Sequence, residues 1–155
     1  MDQAYFEVMT KGDLIDRRQL REFEENLARF VGTKYAVGLN SGYDALHLSL
    51  RAAGIAPGDE VIVPAHTFVA TCSAVVNVGA TPVLVDVGPD FNINVDLIEE
   101  AITPRTRAII PVHLNGWMAD MPRIMEIARR YNLVVVEDAC QSLGASIHGK
   151  KAGSW

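Results

Sequence analysis

The chain has 155 residues, 49% of them hydrophobic and 21% charged, a globular composition long enough for one domain with a sizeable core. A net charge of -5 speaks against nucleic acid, whose phosphates need a basic face, though a local basic pocket for an anionic small substrate remains open. Cys72 and Cys140 show neither a disulfide framework nor a metal spacing, the first residues are too charged for a signal peptide, and no apolar run reaches membrane-spanning length, so the expectation is a cytoplasmic protein without metal or membrane.

In chain order, residues 16–30 place Leu20, Phe23, Leu27 and Phe30 at helical spacing, with Gly32 as the stop. KYAVGL (34–39) reads as a short strand. Asn40, Ser41 and Gly42 form a turn into a helix, YDALHLSLRAAG, that ends at Gly54. DEVIVP is the next strand, closed by Pro64. HTFVATCSAVVNVG reads as a helix with Thr67 as its cap. TPVLVDV is strand and VDLIEEAI helix, with Asp96 ahead of Glu99 and Glu100 in a cap-like arrangement. RAIIPV is strand, DMPRIMEIARRYN is helix with Asp120 at its start, and LVVVED is strand again. QSLGASIHGKKAGSW reads as loop. This is the rhythm of an α/β domain with a mostly parallel sheet and helices on both faces.

In such a sheet ligands gather outside the carboxyl ends of the strands. The turn at 40–42 offers helix N-terminal N–H groups and the Ser41 hydroxyl to an anion; the alternative is an ordinary strand–helix connection. Phe68 follows a strand end and either lies against a flat ring or plugs the top of the core. Asp138 ends a strongly apolar strand, where a carboxylate needs a partner. A protonated pyridine nitrogen would be one, a helix cap or a salt bridge another. Gln141 brings an amide within reach of a ring oxygen. Strand alternation turns Glu137 the other way, towards a structural role. His113 either faces the site or is a hydrogen-bonded core histidine. There is no GxGxxG, P-loop lysine or GxSxG.

The run NSGYDALHLSLRAAGIAPGDEVIVPAHTFVATCSAVVNVGATPVLVDV, followed by ITPRTRAIIPVHLNGWMADM and VVVEDACQSLGA, resembles the DegT/DnrJ/EryC1/StrS aminotransferases, which act on nucleotide-linked keto-sugars. The resemblance implies an incomplete large domain of a fold-type I transferase dependent on pyridoxal 5'-phosphate. Residues 1–155 would be its N-terminal portion, without the cofactor-lysine segment or the small C-terminal domain. By the same resemblance Ser41, Gly42 and Tyr43 fall on the cofactor-phosphate turn, Phe68 on the aromatic position over the pyridine ring, Asp138 beside the pyridine nitrogen, and Gln141 near the ring oxygen. Tyr43 departs from the usual threonine and leans towards a 3-keto-6-deoxyhexose linked to dTDP.

Lys150 and Lys151 do not match the Schiff-base lysine, so the chain alone is expected to be inactive. The implied reaction makes an amino-sugar from a keto-sugar, with glutamate as amino donor, in a homodimer. Alternatives are a sugar dehydratase of the same family and a non-catalytic scaffold or binding protein.

Overall fold

The structure, a computed structural model, describes residues 2–12 and 18–155. The chain divides into two compact units, the first ending at Gly38 and the second running from Leu39 to Trp155.

The first unit holds α1 (Asp2–Lys11) and α2 (Arg18–Val31). The predicted helix over 16–30 is α2, and positions 16 and 17 lie outside the described residues. Gly32 stops it as expected, its N–H donating to the Ala28 carbonyl at 2.8 Å. The strand expected at 34–39 does not form. A strand exists only through a neighbour's ladder, and here the Gly38 N–H instead donates to the Glu24 carboxylate at 2.6 Å. Tyr35 and Val37 stand 73% and 74% exposed.

The second unit begins with α3 (Gly42–Ala52), followed by β1 (Glu60–Pro64), α4 (Val69–Asn77) and β2 (Thr81–Val85). After these come β3 (Thr106–Ile109), α5 (Met121–Tyr131) and β4 (Val134–Val135). These four strands pair in parallel, in the order β2-β1-β3-β4. β1 is buried along its whole length, as a central strand covered on both faces should be.

Period-two alternation sorts its side chains. Val61 and Val63 pack with Leu46, Leu50, Ala74, Val75, Ala108 and Ile110 on the side of α3 and α4. Ile62 and Ile109 pack with Ile98, Met121, Ile124 and Ile127 on the side of α5. Each fully buried aliphatic side chain is worth roughly 1.5–3 kcal/mol of burial, so the sheet is held from both faces.

Local signals explain the ends. Asp120 caps α5 by accepting from the Arg123 N–H, and Asn132 closes it in the left-handed region at φ 53°. Gly54 leaves α3 with φ +80°. Thr67 does not cap α4: the residue at that position is Phe68, without a side-chain bond.

The helix expected at 95–102 is instead a pair of 3-10 turns, Val95–Leu97 and Glu99–Ala101, and the cap is Asn94, whose side chain accepts from the Asp96 N–H. So short a segment, bearing three acids and three β-branched residues, gains too few hydrogen bonds to propagate an α-helix. Nor is the tail a plain loop. β5 (Ser146–Ile147) and β6 (Lys150–Lys151) form a hairpin, turned by His148 and Gly149, both at positive φ.

Candidate active site

The parallel ladder carries β3 and β4 to a common mouth. Beyond the regular pairing, Asp138 N–H donates to the Pro111 carbonyl at 2.9 Å, and His113 N–H to the Asp138 carbonyl at 3.1 Å. The backbone is therefore fixed up to the residue whose side chain matters.

Asp138 is 7% exposed. Its Oδ2 accepts from the Thr71 hydroxyl at 3.0 Å and its Oδ1 from the Cys140 N–H at 3.3 Å. An ionised carboxylate has about four acceptor positions, so capacity remains for a cationic partner. Neither a helix cap nor a salt bridge accounts for Asp138 among the described residues.

The start of α3 and the segment just past β4 line one shallow hollow of about 230 Å³, bounded by Gly42, Leu46, Val136, Asp138 and Cys140 among others. Gly42 fits closely there: a Cβ on it would lie 2.4 Å from the Cys140 Sγ, which would have to turn aside. Ser41 caps the helix by accepting from the Asp44 N–H at 3.2 Å, and Ala45 N–H donates to the Ser41 carbonyl at 3.1 Å. The N–H groups of Gly42 and Tyr43 remain as the turn's donors. The Ser41 proton points to the Asp44 carboxylate at 3.2 Å, and would rotate outward to meet an anion. The Tyr43 side chain takes no part in that cradle. Its hydroxyl accepts from Asn77 Nδ2 at 2.6 Å and its ring stacks on His47.

Phe68 is 70% exposed and plugs no core; its ring is open to a flat partner. Gln141 Oε1 accepts from the Asn115 N–H at 2.8 Å, which leaves its amide N–H groups for other acceptors. His113 is the core histidine of the two readings, fully buried. Its Nδ1 accepts from the Ala119 N–H at 3.2 Å, so the ring proton sits on Nε2 and is donated to Glu137 at 2.9 Å.

Glu137 also accepts from the N–H groups of Gly153 and Trp155 at 2.9 and 2.7 Å. Burial pushes its carboxyl up, but the bonds from His113, Gly153 and Trp155 outweigh that and hold it below the ordinary 4.5. With the folded value depressed, its stabilisation is present above about pH 4.5 and lost as pH falls through the lower folded value. Glu137→Gln is expected to cost about 1–3 kcal/mol at neutral pH by stranding a buried donor. It should also flatten the acid limb of a pH-dependent unfolding curve.

Burial and the neighbouring Asp138 carboxylate push the Cys140 thiol up to about 11. Although Cys140 is exposed, its thiolate fraction at pH 7 is about one in ten thousand. Thiol–disulfide exchange with a chromogenic disulfide reagent, timed by the coloured thiolate it releases, should be slow at neutral pH and faster in Asp138→Asn.

Reading the sequence missed Thr71 and Asn92. Thr71 was detectable as a hydroxyl four residues after Thr67 on an otherwise small, apolar helix. Asn92 is buried, its amide N–H donating to the Trp117 carbonyl at 3.2 Å and its oxygen accepting from Leu114 N–H at 3.1 Å. It joins the loops after β2 and β3, a long-range tie that leaves no local pattern.

Comparison with known proteins agrees with this fold. The dTDP-3-amino-3,4,6-trideoxy-alpha-D-glucose transaminase of Streptomyces venezuelae is 48% identical over 154 residues, which cover 99% of this chain and 41% of that protein. The structure of S. venezuelae DesV in complex with a ketimine intermediate superposes with TM-score 0.96 at 48% identity, over 99% of this chain and 42% of the other. NtdA from Bacillus subtilis with bound cofactor PMP gives TM-score 0.90 at 46% identity, over 95% and 34%. The chain spans about two-fifths of the length of the curated relatives it matches.

A parallel sheet with these likenesses defines part of a fold-type I transferase domain. The family model for DegT/DnrJ/EryC1/StrS aminotransferases matches residues 1–155, and the chain belongs to that family.

Proposed function

We propose that the protein carrying this chain, at the full length of its relatives, uses pyridoxal 5'-phosphate to transfer an amino group to a nucleotide-linked keto-sugar. The observation that carries the reading is the buried Asp138 carboxylate at the mouth of β4, beside the glycine turn that opens α3.

The residues present fit such a group. Gly42 keeps the turn clear of a Cβ, so an anionic arm can approach the N–H groups of Gly42 and Tyr43 and the Ser41 hydroxyl. Phe68 presents an open aromatic face, and offset stacking against a flat ring would bury it. Asp138 would hold the ring nitrogen protonated, and Gln141 would donate an amide N–H to the ring oxygen.

Bound there, the cofactor supplies an electron sink for the carbon that loses its proton. The chain's part is to bind and orient that ring and to keep a negative charge at its nitrogen. The base and covalent anchor would be a lysine other than Lys150 and Lys151. Lys150 belongs to the hairpin, with its Nζ 4.4 Å from the Trp155 ring centroid.

Glutamate as amino donor, a homodimer, and a dTDP-linked 3-keto-6-deoxyhexose as acceptor complete the proposal. The acceptor is supported by the name of the S. venezuelae relative and by the YDALHL turn.

The test is direct. Purified full-length protein supplied with pyridoxal phosphate, glutamate and a dTDP-linked 3-keto-6-deoxyhexose should release 2-oxoglutarate and the amino-sugar in equal amounts. Absence of cofactor absorbance overturns the reading as a whole. Turnover confined to GDP- or UDP-linked keto-sugars overturns only the choice of acceptor.

A further inference from the structure

We propose that Thr71 is a positioning residue for Asp138, the last donor in a directed hydrogen-bond chain that runs from Thr67 through Thr71 to the carboxylate. The inference rests on the cofactor reading above and extends it to residues that reading does not use.

The direction of the chain follows from counting protons. Thr71 is fully buried, and its hydroxyl has one proton to give. A carboxylate only accepts, so that proton goes to Asp138 Oδ2 at 3.0 Å. The Thr71 oxygen lies 2.8 Å from the Thr67 oxygen; with its own proton committed, it accepts from Thr67.

The arrangement is unlike the usual behaviour of a helical threonine, which turns its hydroxyl back to a carbonyl one turn earlier. Here the bond reaches across the fold to a strand end 67 residues away in sequence. Thr71 lies in the first turn of α4 and Thr67 just ahead of its cap, Phe68, so the segment entering the helix brings the two hydroxyls together.

What the chain fixes is a rotation. The terminal torsion of an aspartate is broad and only loosely held by its own geometry. Thr71 on Oδ2 and the Cys140 N–H on Oδ1 grip the two oxygens from different elements and so set the plane of the carboxylate. The same helical turn carries Phe68, to whose carbonyl the Thr71 N–H donates at 3.1 Å. One rigid turn therefore places both the open aromatic face and the donor that aims the carboxylate. A flat cationic ring needs those two contacts at a fixed angle to each other.

The experiment uses the full-length protein stripped of cofactor, titrated with pyridoxal phosphate and followed by absorbance, with turnover and the pH dependence of the bound chromophore measured in parallel. Thr71→Val keeps the shape and removes the hydroxyl. It should weaken cofactor affinity about tenfold, the scale of one hydrogen bond to a charged group, and shift the chromophore's pH profile. Thr71→Ser should restore both to within about twofold, since it keeps the donor. If Thr71→Val does not fold, Thr67→Val carries the same test, with a smaller loss of affinity in the same direction.

Wild-type affinity and pH profile in Thr71→Val would overturn the inference, as would a Thr71→Ser variant as impaired as the valine. Asp138→Asn separates the two levels. If it loses the cofactor while Thr71→Val does not, the positioning role alone falls. If both bind like wild type, the cofactor reading falls with it.

Discussion

Asp138→Asn in the full-length protein is expected to weaken pyridoxal phosphate binding by at least about 30-fold and to lower turnover further. Removing one partner of a buried, hydrogen-bonded charge pair costs about 2–5 kcal/mol, and about 1.4 kcal/mol is a factor of ten. The substitution keeps the side chain's size, and its oxygen can still accept from Thr71. Its amide NH2 then faces the Cys140 N–H, where Oδ1 now accepts at 3.3 Å, a local loss of about 1 kcal/mol in stability. Binding by absorbance titration should therefore change far more than the unfolding midpoint. Equal affinity and turnover in variant and wild type would place the cationic ring elsewhere.

Gly42→Ala is the second large effect, and it acts by volume. Gly42 begins α3 and is absent from the positive-φ glycines, so backbone strain is not the reason for glycine there. The added Cβ would come within 2.4 Å of the Cys140 Sγ, whereas the Cys140 Cβ is 3.9 Å away. Overpacking of this kind costs up to about 1–3 kcal/mol, and its relief is a turn of the exposed Cys140 thiol about its own side-chain torsion, next to the Asp138 carboxylate. Loss of both stability and cofactor affinity is expected. Cys140→Ala, added to Gly42→Ala, removes the clashing sulfur and should restore most of the stability. A double mutant no better than the single one would show that the turn, not the thiol, sets the limit. Chemical denaturation with an absorbance titration measures both.

Much of this was legible in the sequence because the signals were local. β1 announced itself as an unbroken apolar run ended by Pro64, and α5 by Asp120 at its start and the spacing of Ile124 and Ile127. Asp138 stood out because a carboxylate closing an apolar strand demands a partner. The failures have physical reasons too. Residues 34–39 carry strand-like side chains, but strand formation depends on a neighbour that local sequence does not describe. At 95–102 the apolar spacing fits a helix, yet the segment is too short to repay helix nucleation. Thr71 and Asn92 act through partners distant in sequence, and no window along the chain contains both ends of those bonds.

The adjacent carboxylates just past β4 serve opposite faces. Glu137 gathers three donors on one side and Asp138 meets Thr71 and the mouth on the other. Exchanging them, with Asp at 137 and Glu at 138, would preserve charge, composition and strand propensity. It would still shorten the arm that reaches His113 by one methylene and push the other carboxylate into the space a ligand needs. The order of two acidic letters is thus a measure of depth: the longer one anchors the scaffold, and the shorter one leaves room for a guest.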